Sequence, residues 1–120
     1  MKIGYLVLAS ERRIIFTKVD DNADICNAIG CQKFDCGSTL FTEDQLLISG
    51  DRLHGMPEHW FEFGPLSLEF SGNAVLVGVS GFGEDILEQP VMTIDEFRSR
   101  ITFTRGSEFR RSLYKPAGRA

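Results

Sequence analysis

The residue types that could carry chemistry are concentrated in one segment, where three cysteines and both histidines lie between positions 26 and 59. Thiolate and imidazole are the ligands that zinc prefers, so this segment raises the question of a metal site. The spacing argues against one, because structural zinc sites take two ligands from a tight C-x-x-C knuckle, whereas Cys26, Cys31 and Cys36 are five residues apart. We therefore expect no metal and no other cofactor, with the cysteines packing as small apolar side chains.

A thiol enzyme would need a cysteine activated by a histidine whose ring is held by a carboxylate. His54 and His59 do have carboxylates near them, in Asp51 and Glu58. A chain with 17 acidic residues supplies such neighbours by chance, and no cysteine lies in a recognisable nucleophile turn before a helix. The sequence therefore predicts a protein that is not an enzyme.

A glycine-rich stretch at residues 78–83 follows a predicted strand, as phosphate-binding loops do. Its order is G-x-x-G-x-G, which differs from the dinucleotide fingerprint. Acidic residues follow it at Glu84, Asp85 and Glu88, where a phosphate would meet negative charge. We interpret the stretch as a turn.

The candidate protein-binding residues surround the single tryptophan. Aromatic side chains lose little rotamer freedom and supply much of the burial at protein contacts, while carboxylates at the rim steer a basic partner. The alternative is that these rings belong to the core, since ten phenylalanines must be accommodated in a small domain. The candidate residues are Met56, Glu58, Trp60 and Glu62.

Charge is unevenly distributed along the chain. Residues 1–104 carry 8 basic and 16 acidic side chains, whereas residues 105–120 carry 5 basic and 1 acidic. Arginine pairs with phosphate and aromatic rings stack on bases, so this basic tail is a candidate nucleic-acid contact, although the acidic body repels phosphate. The alternative is a solvated tail that aids solubility. The candidate nucleic-acid-binding residues are Arg110, Arg111, Lys115 and Arg119.

The elements that must position these side chains are short strands and two short helices. Gly30 is placed to end the first helix, and Thr93-Ile94-Asp95-Glu96 has the pattern of a capping box at the start of the second, where Ile101 continues the helical spacing. Residues 74–79 are apolar on both faces, which is typical of a central, doubly covered strand. The predicted elements are a hairpin of residues 2–9 and 12–19, a helix over 23–29, strand pieces on both sides of Gly37, strands at 45–49, 66–70 and 74–79, a long loop over 51–60, and a helix over 93–100.

These elements show no βαβ repeat, so the sequence predicts an α+β domain with a largely antiparallel sheet. We expect one domain over residues 1–104 and a mobile basic tail over 105–120. No apolar run approaches the roughly 20 residues of a membrane span, and an odd number of cysteines is typical of reduced thiols. The expected protein is cytoplasmic, does not contact membranes, and is a monomer or homodimer.

Most of residues 15–103 resembles a family of small uncharacterised domains from phages and plasmids. The likeness depends mainly on Gly72-Asn73-Ala74 leading to Val77-Gly78, with Trp60-Phe61-Glu62-Phe63 before it and Thr93-Ile94-Asp95-Glu96-Phe97 after it. The family has no assigned catalytic residues. What the resemblance implies is an accessory protein of a mobile element that binds a protein partner, with inhibition of a host defence complex as its specific role. The alternative is a nucleic-acid-binding regulatory protein that uses the tail.

Overall fold

Two antiparallel sheets and two helices make up the described part of the chain, which is residues 1–40, 44–49, 59–64, 68–80 and 86–105 of a computed structural model. This confirms the predicted α+β class and its antiparallel pairing. The elements of the larger sheet are β1 (Ile3–Leu8), β2 (Arg13–Lys18), β3 (Phe34–Leu40), β4 (Asp44–Ser49), β7 (Ala74–Ser80) and β8 (Ile86–Glu88). The smaller sheet contains β5 (Trp60–Phe63), β6 (Leu68–Ser71) and β9 (Ile101–Thr104), and the helices are α1 (Asn22–Ile29) and α2 (Ile94–Arg100).

Strand β7 is the centre of the larger sheet, whose order is β2-β1-β7-β4-β3. Its first half pairs with β1 and β4, and its second half pairs with β8 on the side that β1 leaves open. Ala74, Val75, Leu76 and Val77 are each 0% exposed, so both faces of this strand are covered. The predicted central, doubly covered strand is confirmed.

The larger sheet lies between two hydrophobic clusters. On one face, Val75 and Val77 pack with Ile25 and Ile29 of α1. The other face packs against the smaller sheet and α2 through a cluster that includes these side chains: Val7, Leu46, Leu76, Phe61, Phe63 and Phe97. The fold is therefore layered, with α1 outermost on one side of the larger sheet and the smaller sheet with α2 on the other.

The predicted end of the first helix at Gly30 and the predicted capping box at Thr93 are confirmed. The Asp21 side chain accepts a hydrogen bond from the Asp24 backbone N–H at 2.9 Å, and Gly30 ends α1 with a φ of 84°, a conformation that favours glycine. Thr93 caps α2 by accepting from the Glu96 N–H at 3.1 Å. The predicted interruption at Gly37 is also present, as a shift in the β3–β4 register between Cys36 and Ser38.

Two positions differ from the sequence prediction. Ile101 follows Ile94 at helical spacing, but α2 ends at Arg100, as predicted, and Ile101 begins β9 opposite Phe63. The run Ile-Thr-Phe-Thr is rich in β-branched and aromatic residues, which favours the strand once β5 is available as a partner. Trp60, placed in a long loop by the sequence, is the first residue of β5.

Candidate functional site

The sequence-predicted binding residues are only partly within the described structure. Trp60 and Glu62 lie in β5, whereas Met56 and Glu58 fall outside the described residues. The predicted nucleic-acid contacts in the tail are also outside them: Arg110, Arg111, Lys115 and Arg119. The boundary predicted between domain and tail therefore stays a prediction.

Trp60 is buried. Its side chain is 5% exposed, so the indole does not present an apolar anchor at the surface of this chain. The expectation of an exposed docking anchor at Trp60 is wrong, and the alternative of a packing role is the one that agrees with the structure. Trp60 lies in β5, the middle strand of the smaller sheet, opposite Ser71 on one side and Thr104 on the other.

Glu62 is half-buried in the same strand, directly opposite Glu69 of β6 and Thr102 of β9. Like charges directly opposite each other across a strand pair repel. This position places acidic charge in the smaller sheet, but on a paired central strand and not on an accessible loop. Its predicted role in steering a basic partner stays a prediction.

The structure brings together a set of side chains that the sequence analysis did not single out. An open surface cavity of about 440 Å³ lies beside the start of β2, between that strand, the end of α2 and β9. We call it the arginine pocket. Its lining residues are Arg12, Arg13, Ile14, Ile15, Arg98 and Phe103.

The three arginines of this pocket differ in how they are held. Arg98 donates from Nη2 to the Ile14 carbonyl oxygen at 2.9 Å and lies 3.6 Å from the exposed Asp95 carboxylate. Arg13 is 3.4 Å from the Glu11 carboxylate. Within the part of the chain that the structure describes, Arg12 forms no ion pair, so its charge is available to a ligand.

Arg12 also has an unusual backbone. Its φ is 54°, and among the described residues it is the one non-glycine with a positive φ. The left-handed conformation costs an L-residue about 1–2 kcal/mol, and glycine, asparagine or aspartate adopt it more easily. Arg12 is the last residue of the turn between β1 and β2, where the Glu11 and Arg12 N–H groups donate to the Leu8 and Ala9 carbonyls, so the turn itself accounts for this conformation.

The outer edge of β2 continues from this pocket. In the described part of the chain β2 pairs on one side only, with β1. The Val19 N–H donates to the Lys2 carbonyl at 2.9 Å, and from that pair the alternation of antiparallel bonding directs the backbone groups of Ile14, Phe16 and Lys18 away from β1. The bond from Arg98 to the Ile14 carbonyl confirms that orientation.

Phe16 is the large apolar side chain on this edge. It is 60% exposed, and its ring packs edge-on against Tyr5 with centroids 5.8 Å apart. The β1–β2 hairpin was predicted, but its place at the sheet edge depends on the order of strands that are distant in sequence. The detectable signal was the alternation of Ile14 and Phe16, which places the phenylalanine on the same face as a buried residue.

The far end of β2 carries a small group of charges. Lys18 Nζ lies 3.8 Å from the Asp20 carboxylate and 3.9 Å from that of Asp24. A hydrogen bond from the Lys2 backbone N–H holds the pKa of Asp20 below its usual value, with help from neighbouring positive charges. The open edge thus runs from a cationic pocket at one end to a charge-paired lysine at the other.

A second polar site is buried and structural. The Asp44 carboxylate, 3% exposed, accepts hydrogen bonds from the backbone N–H groups of Val91 and Met92 at 2.8 and 2.9 Å. Tyr5 donates its hydroxyl to the Met92 carbonyl at 2.7 Å. Burial raises the pKa of Tyr5, and the negative charge of Asp44 raises it further. These bonds attach the segment before α2 to the larger sheet.

None of the three cysteines is part of a disulfide. Cys26 Sγ lies 3.5 Å from the Gln32 carbonyl oxygen, Cys31 is half-buried beside α1, and Cys36 is exposed. The described residues contain no group of three or more His, Cys, Asp or Glu side chains that could hold a metal ion.

Comparisons of the chain with protein-family models, curated proteins and solved structures found no match. Neither of the described helices has the length and apolar character needed to cross a membrane.

Proposed function

We propose that this chain is a cytoplasmic protein that acts by binding another protein and not by catalysis. The observation that carries the proposal is the open edge of β2, where outward-directed backbone groups lie beside a phenylalanine that is 60% exposed. Exposed sheet edges recognise extended segments through main-chain hydrogen bonds, with side-chain pockets supplying specificity. The arginine pocket at the start of β2 is suited to that second role.

The specific role we propose is that of an accessory protein of a mobile element that inhibits a host defence complex. Its support is the likeness to small phage and plasmid domains. The residues that carry the likeness have structural tasks here. Gly72 has a φ of 74°, and Asn73 Oδ1 accepts from the Ala9 N–H at 3.2 Å.

Site-specific photo-crosslinking tests the protein-binding proposal. A benzophenone amino acid replaces Phe16 on the open edge or, as a control, Val91, which is 69% exposed on a different segment. We expect a discrete adduct in host lysate from position 16 and none from position 91, with mass spectrometry identifying the captured protein. Equal capture from both positions, or none from either, would contradict the proposal.

The tail-dependent nucleic-acid alternative is favoured by the composition of residues 105–120 and is tested separately. Mobility-shift assays with single-stranded and duplex DNA compare the full chain with a variant that lacks residues 106–120. Under the protein-binding proposal we expect no shift at moderate salt. A shift that is lost on deleting the tail would replace the proposal with the alternative, because phosphate contacts make such binding depend steeply on salt.

A further inference from the structure

We infer that the segment recognised is an extended acidic peptide, which adds to the outer edge of β2 as a further strand and places a carboxylate in the arginine pocket. The inference rests on the proposed function, since it names the chemistry of the partner at that same edge. Three features of the described residues carry it: the direction of the β2 backbone groups, the charge of the pocket, and the conformation of Arg12.

The backbone of β2 offers an incomplete ladder. Phe16 and Lys18 direct their N–H and C=O groups outward, whereas the outward carbonyl of Ile14 already accepts from Arg98. An incoming strand can therefore pair along Phe16 and Lys18 but meets a guanidinium where the ladder would continue. A carboxylate on the incoming strand is the group that fits there, because it accepts from arginine in a charge-assisted, often bidentate geometry.

The charge of the pocket favours an acidic occupant. Arg12, Arg13 and Arg98 are balanced within the described residues by Glu11 and Asp95, which leaves a local excess of positive charge in a chain whose net charge is −4. Positive potential confined to one cavity of an acidic protein directs a negatively charged segment to that cavity. Phe103 and the exposed ring of Phe16 supply apolar contact on either side.

In the register centred on Phe16, the same geometry disfavours a second copy of this chain as the occupant. In a two-fold antiparallel pairing centred on Phe16, Lys18 of one copy faces Ile14 of the other, whose carbonyl is already bonded to Arg98. In such a dimer only Phe16, at the centre, would have both its N–H and its C=O available for pairing. At each end, the Arg98 guanidinium would compete for the Ile14 carbonyl. A peptide whose backbone pairing stops at the arginine pocket avoids that competition.

The conformation of Arg12 separates a binding role from a folding role. A glycine at a φ of 54° would relieve the strain of the left-handed region, so the fold itself gains nothing from an arginine there. Arg12→Gly therefore removes a cation whose side chain has no ion-pair partner among the described residues. Lys33→Gly removes an exposed cation close to β3, at the opposite edge of the sheet, and is the matched control.

The probe is a fluorescein-labelled nine-residue peptide in which glutamate alternates with valine, titrated with the full chain and followed by fluorescence anisotropy at two salt concentrations. We expect saturable binding that weakens with salt, since exposed ion pairs are screened. Two further peptides are expected not to bind. One has lysine in place of glutamate, and the other is the glutamate peptide N-methylated at alternate residues, which prevents it from pairing as a strand.

Among the variants, we expect Arg12→Gly to weaken binding about fivefold while the thermal midpoint stays the same or rises. Phe16→Thr removes the exposed ring and places a β-branched residue that suits a strand, and we expect it to weaken binding about tenfold. Lys33→Gly is expected to leave the affinity unchanged. Equal binding of the lysine peptide, an unchanged affinity for Arg12→Gly, or a dimer that Phe16→Thr dissociates in sedimentation would each overturn the inference. If a protein is cross-linked at position 16 but the glutamate peptide does not bind, the inference is overturned and the proposed function stands. If both experiments fail, the proposed function is overturned too.

Discussion

At the scale of single residues, Asp44 is the one buried acidic side chain among the residues that the structure describes. Its carboxylate is buried and accepts from two backbone N–H groups of the segment before α2. A buried charge is tolerated when hydrogen bonds replace the water that it has lost. Asp44 therefore joins β4 to a segment almost fifty residues further along the chain.

Replacing Asp44 by asparagine is expected to lower the free energy of unfolding by about 1–3 kcal/mol. The asparagine amide has only one oxygen. Its NH2 group would therefore face a backbone N–H that now donates to the second carboxylate oxygen of Asp44. Urea denaturation measures the change. Asp95→Asn is the matched control, because Asp95 is exposed and surface substitutions cost within about 0.5 kcal/mol. Equal effects of the two substitutions would contradict the structural role of Asp44.

Tyr5 makes the stability of the fold sensitive to alkaline pH. Because burial raises the pKa of Tyr5 in the folded state, the unfolded chain releases this proton first as the pH increases. The contribution of the protonated Tyr5 hydroxyl to the free energy of unfolding is complete below the ordinary tyrosine pKa of about 10. It is lost as the pH rises through the higher folded-state pKa. We expect denaturation midpoints to fall more steeply above about pH 10 in the native chain than in Tyr5→Phe. Parallel pH profiles would show that Tyr5 is not responsible.

The residues that sequence reasoning placed correctly are those with a local signal. Gly30 and Thr93 act within a few positions of themselves, so the order of residue types is enough to predict them. Asp44 and Arg98 make contacts with residues 47 to 84 positions away, which no local pattern encodes. For the same reason the sequence left open whether Trp60 is exposed or packed, because its burial depends on the fold around β5.

At the scale of elements, β7 was predictable because burial on both faces leaves an uninterrupted apolar run. β8 has three residues, too few for a periodic signal. The hairpin of β1 and β2 was predictable from composition, but which of its strands forms the edge is decided by β7 pairing with β1. The candidate binding edge could therefore not be predicted from the residues that form it.

The pairing of β7 with β8 depends on the absence of a side chain at Gly78, which lies opposite Glu88. A Cβ atom there would lie 2.3 Å from the Gln89 carbonyl oxygen, so the backbone would have to move. We expect Gly78→Ala to lower the free energy of unfolding by about 1–3 kcal/mol, as overpacking does, and to reduce amide protection along β8 in hydrogen exchange.

Gly30→Ala is the comparison for that substitution. A Cβ atom at Gly30 would have no neighbour within 4 Å, so the expected cost of about 1 kcal/mol comes from the left-handed φ alone. We expect the loss of amide protection to be confined to the end of α1. Unchanged exchange along β8 in Gly78→Ala would contradict the close approach of Gln89.

At the scale of the whole molecule, Trp60 reports on the packing of the smaller sheet, since it is the single tryptophan and is 5% exposed. We expect a blue-shifted emission spectrum and weak quenching by iodide in the folded chain, with both lost in urea. Strong quenching under native conditions would show that the indole is at the surface, and would restore Trp60 as a candidate docking anchor.

The position of β7 also determines the order in which the molecule can assemble. β1 pairs with β2, and β3 pairs with β4. Within the larger sheet, these two hairpins are joined only through β7, which lies between β1 and β4. A growing chain that has not yet reached residue 74 holds two separate hairpins with unsatisfied inner edges, and neither is stable alone. Sheet closure waits for long-range pairing, the slowest kind of contact to form. Substitutions in β7 should therefore change the rate at which this protein folds, whereas substitutions in β2 should change mainly the rate at which it unfolds.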